Sequence, residues 1–178
     1  MNKKVLSIII ALMFVLALAA CSKSEPAESE ENVGMPNPWS DVATAEEAAK
    51  GAGIDSFSAA EGVEISLGTV KPELYRCMDG MAEARIPIAA VEMTIRKGRP
   101  ETGENGDISG DYTEYKHEWT KDIDGKEVKC YGNREGEATR SIWTSGDYCY
   151  CILAQGAGGD TDFGLSEEDL EALVKAVK

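Results

Sequence analysis

The chain has 178 residues, with 18 Lys+Arg against 32 Asp+Glu, one His and five Cys. This length accommodates one domain of ordinary size, which can bury a sizeable core without disulfide or metal support. A formal net charge of -14 argues against a nucleic-acid binder, because neutralising phosphates needs a basic face. The single His, His117, disfavours a His-rich metal site and a Ser-His-Asp triad.

The first twenty residues have the layout of a signal peptide. A short basic start with Lys3 and Lys4 precedes an apolar run over residues 5–20. This run is shorter than the roughly 20 residues of a membrane-spanning helix. A basic start, a short apolar run and a small-residue end together predict a secretory signal peptide over residues 1–20.

The end of this run resembles the lipobox of bacterial lipoproteins. Leu18-Ala19-Ala20-Cys21 offers small side chains before a scissile bond between Ala20 and Cys21, and the thiol is the acyl acceptor. We therefore expect a lipid on Cys21 that anchors the mature chain to the cell membrane, on its extracytoplasmic face. The alternative is an uncleaved anchor helix in which Cys21 is incidental.

Residues 21–36 are predicted to form a disordered acidic tether behind the lipid. They include four Glu and one clear aliphatic residue, Val33. Such a segment buries too little apolar surface to offset the entropy of ordering the chain. The folded domain is therefore expected over residues 37–178.

The first half of this domain alternates turn signals with short apolar patterns. Thr44 opens a capping box and a short helix, for which Gly51 and Gly53 are stop signals. The Asp-Gly pair at residues 79–80 indicates a hairpin turn. Strands or extended segments are predicted over residues 63–67, 74–78, 81–87 and 91–96.

The second half reads as a series of strands followed by a helix. After a polar loop over residues 98–110, repeated Xaa-Gly turns separate alternating runs. Ser166 caps a final helix with an apolar stripe. Strands are predicted over residues 112–123, 126–134, 138–144 and 148–154. The order predicts an α+β fold: a curved antiparallel meander sheet, with a short N-terminal helix and a C-terminal helix packed on one face.

Several motifs together follow the order of one known domain. They are Asn37-Pro38-Trp39, the early Ala-rich helix, Asp107-Ile108-Ser109-Gly110-Asp111-Tyr112, Trp143 ahead of a Tyr-rich strand, and the Ser-capped final helix. They resemble an uncharacterised extracytoplasmic domain found in clostridial lipoproteins and in membrane proteins of anti-sigma type. The resemblance implies a cell-surface role in a Gram-positive bacterium and a sheet-plus-helix fold akin to lipoprotein carriers. It implies no active site.

Four cysteines, Cys77, Cys130, Cys149 and Cys151, remain when Cys21 is assigned to the lipid. An even number outside the membrane permits two disulfides. Cys149 and Cys151 would face one side of a strand about 6–7 Å apart, an awkward geometry for a bridge. Two pairings stay open: Cys77–Cys149 with Cys130–Cys151, or Cys77–Cys151 with Cys130–Cys149. Buried free thiols are the alternative, and the spacing fits neither a structural zinc site nor a Cys-x-x-Cys redox site.

Acidic residues imitate cation sites at two places. One set matches positions one, three, nine and twelve of an EF-hand loop: Asp160, Asp162, Glu168 and Glu171. The sixth position, which needs Gly, is Leu165, so a capped helix explains this segment better. The acidic loop around Glu104, Asp107 and Asp111 could hold a hard cation, but turn chemistry accounts for Asn105-Gly106 and Gly110 without one. We therefore predict no metal site and no cofactor.

The aromatic residues and the single His have plain structural interpretations. His117 lies among polar residues on a predicted strand, which is typical of a solvated side chain rather than a catalytic base. Five aromatic residues are expected to be core or half-buried sheet positions, with an aromatic-lined groove as the functional alternative. They are Trp39, Trp119, Trp143, Tyr148 and Tyr150.

Together these features predict a lipid-anchored cell-surface lipoprotein whose single domain binds a ligand or partner and catalyses no reaction. The expected partners are the membrane, through the lipid on Cys21, and an unidentified protein or small molecule, but no nucleic acid. We expect a monomer. The alternative function is a carrier that encloses a lipid or other apolar ligand, which requires an apolar cavity between the sheet and the final helix.

Overall fold

The computed structural model describes residues 37–178. The predicted signal peptide, Cys21 and the predicted tether lie outside the described residues. Residues Pro38–Lys178 form one compact unit. Its elements are β1 Ser40–Val42, α1 Ala45–Ala52, β2 Glu64–Ile65, β3 Gly68–Thr69, β4 Leu74–Met78, β5 Met81–Ile88, β6 Val91–Gly98, a 3-10 turn Pro100–Thr102, β7 His117–Ile123, β8 Lys126–Gly132, β9 Arg140–Ser145, β10 Tyr148–Gly156 and α2 Glu167–Ala176.

Eight strands form one antiparallel sheet in the order β1-β4-β5-β6-β10-β9-β8-β7. Two meanders, β4 to β6 and β7 to β10, are joined where β6 pairs with β10, for example with Ile95 opposite Ile152. The sheet is open, with β1 and β7 at its edges. The prediction of an α+β fold with a curved antiparallel sheet is confirmed. The sheet consists of two meanders and not of the single meander that was predicted.

The first helix begins and ends largely as its sequence signals indicate. Thr44 Oγ1 accepts a hydrogen bond from the Glu47 backbone N–H, and the Glu47 carboxylate accepts one from the backbone N–H of Ala43. The helix ends at Gly53, whose φ of 66° suits a residue without a Cβ. Gly51 is not a stop signal, because it lies inside the helix. A Cβ there would lie 2.4 Å from the Sγ of Cys77.

The second helix is also capped as predicted. Ser166 Oγ accepts a hydrogen bond from the Asp169 backbone N–H, and Lys175 lies in the last turn, where a cation complements the helix dipole. Leu170 and Leu173 are buried. Within residues 37–178, neither helix is long and apolar enough to span a membrane.

One face of the sheet, which we call the helix face, packs against both helices. Its apolar layer includes Ile86, Ile95 and Ile152 from the strands and Leu173 from α2, each at most 1% exposed. Complete burial of such a side chain contributes roughly 1.5–3 kcal/mol. The layer therefore provides much of the driving force for folding.

Two short segments differ from their predicted structure. The strand predicted over residues 63–67 is a small hairpin, in which β2 Glu64–Ile65 pairs with β3 Gly68–Thr69. The edge strand β1 Ser40–Val42 pairs with β4, although its sequence has no strand pattern. Strands this short are fixed by tertiary contacts more than by propensity.

The strand predicted over residues 112–123 begins only at His117. In the preceding segment, Asp107 Oδ1 accepts a hydrogen bond from the Ser109 backbone N–H, and Asp111 Oδ1 accepts one from that of Thr113. Such local side-chain bonds offer the backbone an alternative to strand pairing. The loop is therefore longer than the sequence indicated.

Candidate functional site

The face of the sheet opposite the helices, which we call the second face, carries charged residues in cross-strand rows. In the central row, Arg76 on β4 lies opposite Glu83 on β5, and Glu83 lies opposite Arg96 on β6. Side chains alternate along a strand, so directly opposed residues share a face. The row continues over β10, β9 and β8 with Cys151, Ile142 and Lys129.

Glu83 lies at the centre of an arginine cluster formed with Arg76, Arg85 and Arg96. Its side chain is fully buried, and its carboxylate accepts hydrogen bonds from the Nε of all three arginines. The distances are 2.6 Å to Arg76, 3.0 Å to Arg85 and 2.7 Å to Arg96. The centroid of the Trp39 ring lies 4.6 Å from the guanidinium carbon of Arg76 and 5.6 Å from that of Arg96, within cation–π range.

The arginine cluster keeps the Glu83 carboxyl ionised. Burial raises its pKa, but the hydrogen bond from Arg76 and the charge of Arg96, with further hydrogen bonds from Arg85 and Arg96, outweigh burial. The pKa of Glu83 is therefore held below its ordinary value. One carboxylate faces three guanidinium groups, which leaves a local excess of positive charge in an acidic protein.

A loop after β6 folds back over the second face and is held there partly by Arg96. The Nη1 of Arg96 donates to the backbone oxygens of Ile108 and Ser109. At the start of the loop, a Cβ on Gly103 would lie 2.2 Å from the backbone oxygen of Asp107. Only a glycine allows this close approach of two backbone segments.

Arg140 on β9 holds the same loop from the other side. Its Nη1 donates to the backbone oxygen of Asp111 and lies 3.7 Å from the Asp107 carboxylate and 3.6 Å from that of Asp111. Its guanidinium carbon lies 4.2 Å from the ring centroid of Tyr131 and 5.3 Å from that of Tyr115. Its Nε is buried and has no hydrogen-bond partner among the described residues.

Between this loop and the sheet lies a cleft of about 700 Å³, a volume typical of small-molecule sites. Tyr112, which is 89% exposed, lines it from the loop. Donors and acceptors converge on this space from several directions, so the cleft suits a polar, hydrogen-bonding ligand. Its aromatic, cationic and acidic lining includes Trp39, Arg96, Lys129, Arg140, Glu104, Asp107 and Asp111.

The cysteines on the second face supply no nucleophile to this cleft. Burial raises the pKa of the Cys151 thiol to about 12 and also raises that of Cys149. Both side chains are buried and therefore protonated at neutral pH, whereas reactive cysteines need thiolate character.

The structure brings neither predicted disulfide pairing together. Cys77 lies on β4, three strand spacings or about 14 Å from β10, which carries Cys149 and Cys151. Cys130 packs in the core of the helix face, whereas Cys149 and Cys151 pack on the second face. A disulfide requires Cα atoms within about 7 Å. The four thiols are free and buried, an arrangement that favours the free-thiol alternative.

We expect four alkylatable thiols in the domain when the protein is unfolded without reductant. The physical reason is the separation of Cys77, Cys130 and the β10 cysteines by strands and by sheet face. Mass spectrometry after iodoacetamide treatment in urea measures this count. A sample that is reduced before alkylation is the control. If the unreduced protein carried two or four labels fewer than this control, one or two disulfides would be present and the expectation would be contradicted.

The acidic residues with EF-hand spacing make other contacts. Asp160 Oδ1 accepts a hydrogen bond from the Asp162 backbone N–H, and Glu171 pairs with Lys175 at 2.6 Å. Glu168 is exposed in the first turn of α2. In the part of the chain that the structure describes, no group of three or more His, Cys, Asp or Glu side chains is placed to hold a metal ion.

The five aromatic residues singled out in the sequence divide between the two faces. Trp143 and Tyr150 are buried in the core of the helix face. Trp119 and Tyr148 are half-buried and pack against this core. Trp39 is half-buried and lines the cleft. His117 is exposed at the start of β7.

Sequence reasoning missed the charged residues that build the site. Arg76, Glu83 and Arg96 each occupy the polar position of an alternating strand, which reads as a solvated face. The signal that could have identified them is the opposition of arginines to a single Glu across a predicted hairpin. Arg140 carried no comparable signal.

Comparison of the chain with protein-family models, with curated proteins and with solved structures finds no match. The resemblance to the clostridial extracytoplasmic domain therefore stays a prediction.

Proposed function

We propose that this protein is a lipid-anchored extracytoplasmic lipoprotein whose domain binds a small polar ligand and catalyses no reaction. The observation that carries the binding site is the cleft of about 700 Å³ that joins Trp39, Arg96 and Arg140. The lipobox ending at Cys21 supports the anchor. The acidic chain is repelled by an anionic membrane surface, which favours a domain held off the lipid with its cleft accessible.

The lining of the cleft favours a neutral or zwitterionic ligand over a polyanion. Three cationic side chains line it, and three acidic side chains balance them. The hydrogen bonds and ion pairs of Arg140 all use Nη1. Its Nε is buried, so Nη2 is the nitrogen that retains donors for a ligand.

The contacts of the described residues favour this function over an apolar-ligand carrier. A carrier needs an apolar space between the sheet and the final helix. Leu170, Leu173 and Val174 of α2 are instead at most 1% exposed in the core of the helix face. The cleft on the second face is lined mainly by polar and charged groups.

Native mass spectrometry of protein extracted from its own host in a mild detergent tests the binding site. We expect a co-purifying small polar molecule on the unaltered protein. Arg140→Gln should lower its occupancy by about 10-fold or more, because a hydrogen bond to a charged group contributes roughly 1.5–3 kcal/mol. Lys129→Gln, at an exposed position in the cleft, should lower it less.

The exposed Lys71, which does not line the cleft, provides the control, and Lys71→Gln should keep full occupancy. Lys129 is exposed, so Lys129→Gln should leave the fold intact. A lower occupancy in this variant would therefore report loss of ligand contacts and not unfolding. A lipid mass on the unaltered protein would support the carrier instead. A ligand-free mass would count against the binding function.

A further inference from the structure

A second cavity of about 270 Å³ lies on the helix face and shares no lining residue with the cleft. Three adjacent strands place Lys97, Tyr150 and Trp143 in one cross-strand row along it. The rings of Tyr150 and Trp143 stack with centroids 5.2 Å apart. Lys126 and Lys178 complete the cationic part of the wall.

Lys97 is a buried cation with an exposed partner. Its side chain is 3% exposed, and its Nζ lies 2.7 Å from Oδ1 of Asp55, whose side chain is 65% exposed. The Nζ also lies 4.3 Å from the ring centroid of Tyr148. An ammonium group has three N–H donors, so the bonds to Asp55 and to the Tyr150 side chain leave one donor for another acceptor.

The two other lysines add charge to the same cavity. Lys126 uses one donor on the backbone oxygen of Val174, at 2.8 Å. The backbone of Lys178 is bonded in both directions to Ser58, which holds this lysine at the wall of the cavity. Three lysines therefore line the cavity with one acidic side chain, that of Asp55, which pairs with Lys97.

Trp143 contributes an unsatisfied donor. The residue is 4% exposed, and its Nε1 is buried without a hydrogen-bond partner among the described residues. A buried polar group without a partner destabilises the folded state. The indole N–H can only donate, so the group that satisfies it must be an acceptor.

From these observations we propose that the cavity binds a small oxyanion of the phosphate class, as the free ion or as a phosphate monoester. Lys97, Lys126 and Lys178 supply the charge, since lysine binds phosphate as a point charge. The N–H of Trp143 donates to one oxygen. This site is independent of the ligand proposed for the cleft.

Thermal unfolding of the purified full chain in non-ionic detergent, with inorganic phosphate against sodium chloride of equal ionic strength, tests this proposal. We expect phosphate to raise the unfolding midpoint by about 2–4 °C, because a ligand that binds the folded state stabilises it. Phosphate also stabilises proteins non-specifically. The decisive quantity is therefore the difference between the unaltered protein and variants of the cavity.

Trp143→Phe keeps the aromatic packing and removes the N–H donor, and Lys126→Gln removes one charge. Both should lose at least half of the phosphate-specific rise, whereas Lys71→Gln, outside the cavity, should keep it. An equal rise in all proteins, or no rise beyond chloride, would overturn the proposal. A parallel titration with glycerol phosphate distinguishes the sources: a rise with both extends the site to esters, and a rise with inorganic phosphate alone restricts it to the free ion.

Discussion

Glu83→Gln is expected to lower the free energy of unfolding by about 3–5 kcal/mol, because it removes the single carboxylate that three arginines share. Glu83 is fully buried, and two of its partners, Arg76 and Arg96, are 14% exposed. Water would therefore solvate their charges only in part once the carboxylate is lost. A domain of this size has a total stability of about 5–15 kcal/mol. Urea unfolding at pH 7 measures the loss.

Glu92→Gln is the matched control, since Glu92 is exposed on β6. It should change the stability by at most about 0.5 kcal/mol. If Glu83→Gln changed the stability no more than Glu92→Gln, the ion pairs of the arginine cluster would not stabilise the fold.

The same substitution should also change how stability depends on acid. The pKa of Glu83 is lowered in the folded state, so its contribution is present above the unfolded pKa, about 4.3, and is lost as the pH falls through the folded pKa. The difference in stability between the unaltered protein and Glu83→Gln should therefore narrow below about pH 4. A difference that widened on acidification would contradict the lowered pKa.

Cys21→Ala is expected to abolish lipidation completely, because no other residue of the chain follows a lipobox. In a Gram-positive host fed labelled palmitate, the unaltered protein should carry the label and begin at Cys21. The variant should carry no label and should keep residues 1–20, because the cysteine that becomes the new N-terminus of a lipoprotein is missing. Gel fluorography and the intact mass measure the two properties.

Cys149→Ala removes a cysteine that lies within the folded domain, so it should be labelled like the unaltered protein. Equal labelling of Cys21→Ala and the unaltered protein would end the lipoprotein proposal. That outcome would leave the uncleaved anchor helix as the interpretation of residues 1–20.

Local signals in the sequence predicted much of the fold. Thr44 and Ser166 cap helices because their hydroxyls satisfy backbone N–H groups within three residues. The Asp-Gly turn at residues 79–80 joins β4 and β5 as expected. These features depend on neighbours in sequence, so they can be read without tertiary information.

The features that the sequence did not reveal depend on residues far apart in the chain. The pairing of β6 with β10 joins two hairpin systems by tertiary packing alone. The arginine cluster depends on the register of three strands. The loop over residues 99–116 is held against the sheet by Arg140, which follows the loop in the chain. The positions of Cys77 and Cys149 likewise follow from strand order and not from spacing.

The position of β10 also constrains when the domain can fold. It is the last strand in the chain, yet it lies in the middle of the sheet, between β6 and β9. The two meanders cannot join, and α2 has no complete surface to pack on, until residues 148–156 are available. Such long-range pairing is slow to form. For a chain that the proposed signal peptide directs across a membrane, this topology delays folding of the domain until residues 148–156 have been translocated.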